Sequence, residues 1–251
     1  MPAGSISAIV ITFNEAGNIA DCLARLKFCD EVIVVDSGSS DDTVAIARKA
    51  GAKVHHRDWT GFGAQKAHAL SLARGEWVLS VDADERIPDD LATEILAVVR
   101  GGEFDGYEIA RKAFFLDRWM RHSGWWPDYV LRLVRRGTAV FSDDIVHERM
   151  IPDGRVGRLR EALLHYTMPT LGDAYTKADR YAEAGAVKLV AAGRRPSVAM
   201  AFARGGWSFF ATYIIKLGIL DGREGLINAS IIAQQTLRRY LLAWEMTHRK
   251  P

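Results

Sequence analysis

Cysteine is scarce in this chain. Cys22 and Cys29 are the only two in 251 residues, they lie close together in the first helical region, and their spacing makes no metal pattern, so a disulfide scaffold is excluded and reduced thiols in a cytosolic-type compartment are expected. No secretory signal is expected from Met1 to Ser5, which is too short and too uncharged before the first strand opens at Ile6. The chain is therefore expected to stay on the side of the membrane where it is made. The most apolar stretch, Trp207 to Leu220, is about 14 residues and carries Lys216, short of the roughly 20 a spanning helix needs. No internal repeat and no low-complexity linker occurs, which leaves one large domain or one domain with an appendage. The dinucleotide glycine fingerprint is absent, which argues against a dehydrogenase. The first strand is followed by Thr12-Phe13-Asn14-Glu15 rather than a glycine-rich loop with Arg, which argues against a nucleotidyltransferase.

What is present is an ordinary globular composition, 49% hydrophobic and 25% charged, enough to bury a substantial core. The net charge of +2 hides an asymmetry. Residues 1–110 carry 10 Lys and Arg against 18 Asp and Glu, whereas residues 111–251 carry 23 against 13, so about −8 is followed by about +10. An acidic half suits a metal site, and a basic half suits phosphates, on a substrate or on an anionic membrane surface.

In chain order, Ile6 to Ile11 reads as a strand running into Thr12-Phe13-Asn14-Glu15, followed by apolar residues at helical spacing, Ile19, Cys22, Leu23 and Leu26. Glu31 to Asp36 is a second strand, and the polar turn Ser37-Gly38-Ser39-Ser40-Asp41-Asp42-Thr43 leads into a helix from Val44 to Ala50. In that turn Asp41 can cap the helix, while Asp36 and the Ser/Gly backbone can hydrogen-bond a base or ribose. Lys53 to His56 is a third strand. Lys66, near the start of the helix over Ala64 to Ala73, is either a surface lysine or a ligand for a diphosphate. The central strand, Glu76 to Asp82, runs without a spacer into Ala83-Asp84-Glu85, three acids within four positions. Two carboxylates at i and i+2 at a strand's carboxyl end can hold a hard divalent ion that leaves positions open for phosphate oxygens. The alternative is a solvated turn whose acids favour the N-terminus of the helix begun by Pro88-Asp89-Asp90. Four strands alternating with helices predict a parallel sheet with right-handed crossovers.

The second half changes character. Tyr107 to Arg111 and Val130 to Arg135 alternate as strands, and between them three tryptophans fall within eight residues, Trp119, Trp125 and Trp126. Trp125 and Trp126 read equally as packing or as an aromatic wall for a sugar acceptor. His147 and Glu148 stand side by side after a short strand, and His165 ends another. From Thr170 onward the pattern is helical, with an amphipathic stretch over 171–192 and a helix pair over 198–247. Arg194, Arg195, Arg204, Lys216, Arg238 and Arg239 flank the apolar segment, so the pair is either an interfacial element on an anionic leaflet or a cap packed on the sheet.

Three motifs occur together, in order and at characteristic spacing: Ile9-Val10-Ile11-Thr12-Phe13-Asn14-Glu15, Val34 to Thr43 and Val81-Asp82-Ala83-Asp84-Glu85. With them the chain resembles the family 2 inverting glycosyltransferases of GT-A fold. Arg132 to Arg136, Val146-His147-Glu148 and Leu220-Asp221-Gly222 make it resemble more narrowly the lipopolysaccharide-core β-1,4-glucosyltransferase group. The resemblance implies an α/β fold, a Rossmann-like, mixed and mainly parallel sheet flanked by helices, with a C-terminal helical extension. The expected division is a transferase domain over 1–169, made of a nucleotide-sugar half (1–110) and an acceptor half (111–169), then the extension over 170–251.

The implied reaction moves a hexose, glucose by the resemblance, from a UDP-sugar to a heptose-containing inner-core or related glycolipid acceptor, assisted by Mn²⁺ or Mg²⁺. Thr12, Asn14, Glu15, Asp36, Ser37, Gly38 and Asp82 would hold the nucleotide sugar, with Lys66 and Arg132 on the phosphates. Asp84 would hold the metal with Asp82 nearby, and His147 would either complete that site or satisfy a backbone carbonyl. Glu148 is the first choice for the base that takes the acceptor's proton and Asp128 the second. No nucleic-acid partner is expected. The expected location is cytoplasmic, and the basic residues around the apolar segment make residues 194–247 the expected peripheral contact at the inner membrane's cytoplasmic face. The opposing readings are a nucleotide-sugar-binding or membrane-scaffold protein that keeps the fold without turnover, and a transferase of the same fold acting on another lipid-linked or protein acceptor.

Overall fold

The computed structural model describes residues 3–142 and 149–248. Its elements in chain order are β1 (Ile6–Thr12), α1 (Ile19–Ala24), β2 (Glu31–Asp36), α2 (Thr43–Lys49), β3 (Lys53–His56), α3 (Phe62–Leu72), β4 (Trp77–Asp82), β5 (Glu85–Arg86) and α4 (Asp89–Gly101). Next come β6 (Gly106–Phe115), β7 (Arg118–Trp119), β8 (Tyr129–Arg135), β9 (Ala139–Phe141), β10 (Met150–Pro152) and β11 (Val156–Met168). The chain closes with α5 (Leu171–Ala191), α6 (Val198–Phe210), a π-helical turn (Ala211–Ile215), a 3-10 turn (Gly218–Asp221) and α7 (Gly222–His248). They form two compact units, Met1–Lys112 with Asp128–His165, and Ala113–Pro127 with Tyr166–Pro251.

In the first unit the sheet order begins β3-β2-β1-β4, and every pair in that run is parallel. Beyond β4 the sheet turns antiparallel, through β8 and then β6, and β5 pairs antiparallel with β11. This is the mixed α/β sheet flanked by helices that the sequence leads one to expect. The parallel strands are continuous runs of Val, Ile and Leu because both of their faces are covered. Side-chain alternation makes the division visible in β1. Ile6, Ala8 and Val10 join one core with α1, α2 and α4 through Leu23, Ala47, Leu91 and Ile95, and Ile9 joins a second core with α3 through Ala69 and with Ala73 just past its end.

The register of the parallel strands sets one edge in line. Thr12 on β1 pairs with Asp36 on β2, and Ile11 pairs with Asp82 on β4. Three polar positions thus end neighbouring strands at their carboxyl ends, where open α/β sheets bind ligands.

The second unit is mainly helical. A stripe of buried alanines, Ala174, Ala178, Ala182 and Ala186, lines α5, and both α5 and α6 pack against α7. α5 opens with a capping box, in which the Thr170 side chain accepts from the Asp173 N–H while the Asp173 carboxylate accepts from the Thr170 N–H. Phe115 and Met120 are buried against Ala174, Ala178 and Ile231, with Trp125 half-buried beside them. The helical run over Val198–Ile215 starts nine residues before Trp207. Its 18 residues make the one helix among the described residues long and apolar enough to cross a membrane by length and composition.

Candidate active site

The site begins where β1 ends. Asn14 adopts a left-handed backbone (φ 55°), a conformation asparagine tolerates better than most residues, and this turns the chain back onto the loop after β2. Its N–H donates to Ser39 Oγ at 2.8 Å and its Oδ1 accepts from the Ser40 N–H at 2.8 Å. The Glu15 N–H donates to Thr43 Oγ1, and the Ala16 N–H donates to Asp41 Oδ2. Asp41 Oδ1 accepts from the Thr43 N–H at 3.0 Å, so Asp41 caps the first N–H of α2 and ties the two loops together at once. Burial pushes the Glu15 carboxyl above its ordinary value, against the lowering effect of the bond from Asn18.

Asp36 organises the turn that follows β2. Its Oδ1 accepts from Thr12 Oγ1 (3.1 Å) and Ser39 Oγ (2.5 Å), and its Oδ2 from the Gly38 and Ser39 N–H groups (2.9 Å each). Burial disfavours its charge, but the bonds from Ser39, Gly38 and Thr12 outweigh that, and its carboxyl is held below the usual range. Four donors fill the acceptor positions of this carboxylate. It fixes the loop through Ser37 and Gly38, whose N–H groups are taken by the Thr12 carbonyl and by Asp36 itself. Gln65 on α3, which sequence reasoning passed over, joins this loop: its Nε2 donates to Ser37 Oγ and to the Arg57 carbonyl, both at 2.8 Å.

At the end of β4 the acids meet cations. Lys66 Nζ lies 2.9 Å from Asp82 Oδ1, and Arg132 donates through Nη2 to Asp82 Oδ2 at 2.6 Å and to Glu85 Oε1. Lys66 and Arg132 are only 7% and 4% exposed, which removes the surface-lysine reading of Lys66. Burial raises the Asp82 carboxyl's pKa, yet Arg132 and Lys66 reverse this and hold it well below the carboxylate range. Glu85 is pushed up by its complete burial, against Arg132. The sequence could suggest only that Glu85 belonged to an acid cluster. Its carboxylate also accepts the Asp82 N–H at 3.0 Å, and so fixes the bend between β4 and β5.

Asp84 points elsewhere. Its Oδ2 is 3.1 Å from Nε2 of His165 on β11, the partner that sequence spacing could not supply. Asp128 Oδ2 accepts from Arg111 Nε (2.9 Å) and Nη2 (2.5 Å), so Arg111 fixes that carboxylate through one oxygen. His147 and Glu148 lie outside the described residues. In the second unit Trp126 meets Trp119 edge to face at 5.3 Å, and Trp125 meets Phe115 at 6.1 Å. Trp125 therefore has a packing role of its own.

Three buried polar atoms of the first unit have no partner among the described residues, Gln65 Oε1, Trp77 Nε1 and Arg132 Nε. Leaving such atoms unpaired costs about 1–3 kcal/mol each. Gln65 and Arg132 are fastened at the carboxyl-end edge through their other polar atoms, Gln65 to Ser37 and Arg132 to Asp82 and Glu85. As a metal centre the described residues supply a partial set, with no group of three or more His, Cys, Asp or Glu. Asp84 and His165 suit an ion that takes its remaining ligands from phosphate and water.

Known proteins meet this geometry from the sequence side. The family model described as glycosyl transferase family 2 matches residues 7–158, which span β1 to the start of β11. An uncharacterized glycosyltransferase of Rickettsia felis is 33% identical over 241 residues, covering 91% of this chain and 85% of that protein. The lipopolysaccharide core biosynthesis glycosyltransferase LpsC of Rhizobium meliloti is 32% identical over 211 residues, covering 78% of this chain and 76% of its own. Among solved structures, S. aureus TarS 1-349 matches 97% of this chain and 91% of its own at 17% identity, with a TM-score of 0.49. The matched segment contains Thr12, Asp36, Asp82 and Asp84, and the chain that carries them belongs to glycosyl transferase family 2 and is a glycosyltransferase.

Proposed function

We propose that this glycosyltransferase moves a hexosyl group, glucose by its resemblance, from a UDP-sugar to a hydroxyl of a lipopolysaccharide inner-core heptose or a related glycolipid, with inversion at the anomeric carbon. The observation that carries the reading is the alignment of Thr12, Asp36 and Asp82 at one carboxyl-end edge, with buried Lys66 and Arg132 beside Asp82. The relative named for lipopolysaccharide core biosynthesis supports the acceptor class.

In this reading the loop fixed by Asp36, with Thr12, Asn14, Glu15, Ser37 and Gly38, holds the nucleoside, and Gln65 Oε1 adds an acceptor beside Ser37. Lys66 and Arg132 face the diphosphate and share their charge between it and Asp82. Because both cations are already desolvated and oriented, little reorganisation is needed when charge develops on the leaving oxygen. Asp84 and His165 are the residues that would hold Mn²⁺ or Mg²⁺, whose chemistry there is to neutralise that charge as a Lewis acid. The acceptor oxygen bonds to the anomeric carbon as the bond from that carbon to the diphosphate oxygen breaks. A carboxylate takes the acceptor's proton. Glu148 is our first assignment for it, and Asp128, held by Arg111 through Oδ2, is the second. Trp125 and Trp126 are assigned to the acceptor sugar.

Calorimetric titration with UDP-, GDP- and ADP-sugars, with and without Mn²⁺, tests the donor reading on the native chain and on Asp84→Asn. One UDP-sugar is expected to bind only with metal, and Asp84→Asn to weaken it at least tenfold. Binding that ignores both the metal and the substitution would return the acids to a structural role and favour a scaffold without turnover.

A further inference from the structure

α6 is built inside out. An amphipathic helix of a globular protein turns its large apolar side chains inward. Here the residues turned inward are small: Ala201, Gly205 and Thr212 are buried, and Ser208 Oγ donates to Thr236 Oγ1 on α7 at 3.0 Å. A Cβ on Gly205 would stand 3.1 Å from the Cβ of Leu237 and 3.2 Å from the Ala233 carbonyl, so α7 packs against the α6 backbone itself. The large side chains point the other way. Phe202, Trp207 and Ile215 are 61%, 56% and 57% exposed, with Phe210, Leu217 and Leu220 exposed as well. Only 17% of the Val198–Ile215 run is buried. Small residues and hydroxyl pairs between helices, with bulky apolar groups outside, are the packing pattern of helices whose outer surroundings are lipid. Left in water, such a contiguous face forfeits about 25 cal/mol for every square ångström, and patches of this kind mark interaction sites.

The charge around the face selects the partner. Between Arg194 and Leu220 the sequence has no Asp or Glu, while Arg194, Arg195, Arg204 and Lys216 lie within or just before the apolar run. A protein partner would need its own acidic rim around an apolar centre. An anionic bilayer supplies both over any area.

We infer that the exposed face of α6 and the turn after it docks into the interfacial zone of an anionic membrane, with the helix lying in the membrane plane. A crossing helix fits less well. Eighteen residues rise roughly 27 Å, Arg204 would sit inside the hydrocarbon, and α7, packed along α6, would bring Gln234, Gln235, Arg238 and Arg239 with it. In the plane, the basic side chains reach the headgroups while the aromatic residues sink between them. This inference uses no part of the donor site, so it and the donor reading fail separately.

The test is flotation of the full chain with vesicles of phosphatidylethanolamine and phosphatidylglycerol, compared with phosphatidylcholine alone. The native chain is expected to float with the anionic vesicles, at least tenfold more than with the neutral ones. Trp207→Glu combined with Phe210→Glu should abolish flotation on both, with circular dichroism verifying that the helices remain. Arg194→Gln combined with Arg195→Gln, at exposed positions before the helix, gives an independent arm. It should lower binding to anionic vesicles roughly tenfold or more and leave neutral vesicles unchanged. A native chain that stays below the anionic vesicles overturns the inference, as does equal flotation of the Trp207/Phe210 variant. So does a native chain that ignores vesicles and forms a dimer which the same variant dissolves, because the face would then belong to a second copy.

Discussion

Asp82 does two things at once. It ends β4 at the ligand edge, and it ion-pairs with both Lys66 and Arg132, which are buried beside it. Removing one member of such a network usually costs about 3–5 kcal/mol, because the remaining charges stay buried. Asp82→Asn is therefore expected to lower stability by an amount in that range. The acid limb of the stability profile should change as well. Asp82 and Asp36 have folded carboxyls held below their unfolded values, so as pH falls below about 4 the unfolded chain takes up protons first and stability is lost. Glu85, raised by burial, works in the opposite sense. Thermal melts between pH 6 and pH 3 should show native stability falling at the acid end, and a shallower fall for Asp82→Asn. Superimposable slopes would remove Asp82 from the buried network. At this scale the sequence disclosed residue types better than partners. Asp36 and its Ser/Gly turn were readable because their bonds are local. The pairings of Asp82 with Arg132 and of Asp84 with His165 were not, because they depend on which distant strands the fold brings alongside.

Among the elements, Glu31–Asp36 and Lys53–His56 were legible to the residue, since apolar runs bounded by polar turns leave little choice. The two- and three-residue strands β5, β9 and β10 were not, because pairs this short are fixed by the neighbour and carry no periodicity of their own. The start of α7 also depends on something that no pattern of hydrophobicity records, a close approach of backbone to backbone. A Cβ on Gly225 would stand 1.9 Å from the carbonyl oxygen of Gly218. Helix propensity favours alanine over glycine by about 1 kcal/mol, but that carbonyl belongs to the chain itself and has no rotamer by which to leave. Gly225→Ala is thus expected to destabilise by about 1–3 kcal/mol. Gly206→Ala, in α6 where nothing lies within 4 Å of the added atom, should stabilise by up to about 1 kcal/mol. Denaturant midpoints of the two variants should move in opposite directions, and movement in the same direction would show that crowding at Gly225 is absent in solution.

Over the whole molecule, the order of strands and helices announced the α/β class and the helical extension, and the three motifs announced the family. The partition into units was less accessible. Residues 113–127 group with the C-terminal helices although they fall between two strands of the first unit, and such a grouping is decided by contacts rather than by order along the chain. Phe115 and Met120, both buried against α5 and α7, show what draws that segment away. The charge asymmetry is likewise a property of the whole chain, and the fold gives its basic half a place to act, beside the exposed face of α6.

The two thiols are both in the first unit. Burial raises Cys22 to about 12 and raises Cys29 as well, so at neutral pH neither offers much thiolate. To a maleimide dye the native chain should therefore be nearly blank, with labelling slow until denaturant is added. A single cysteine introduced at Phe202 would then be the one bright handle on the molecule. Its emission could follow the helical face from water into lipid without removing any native residue to silence the background.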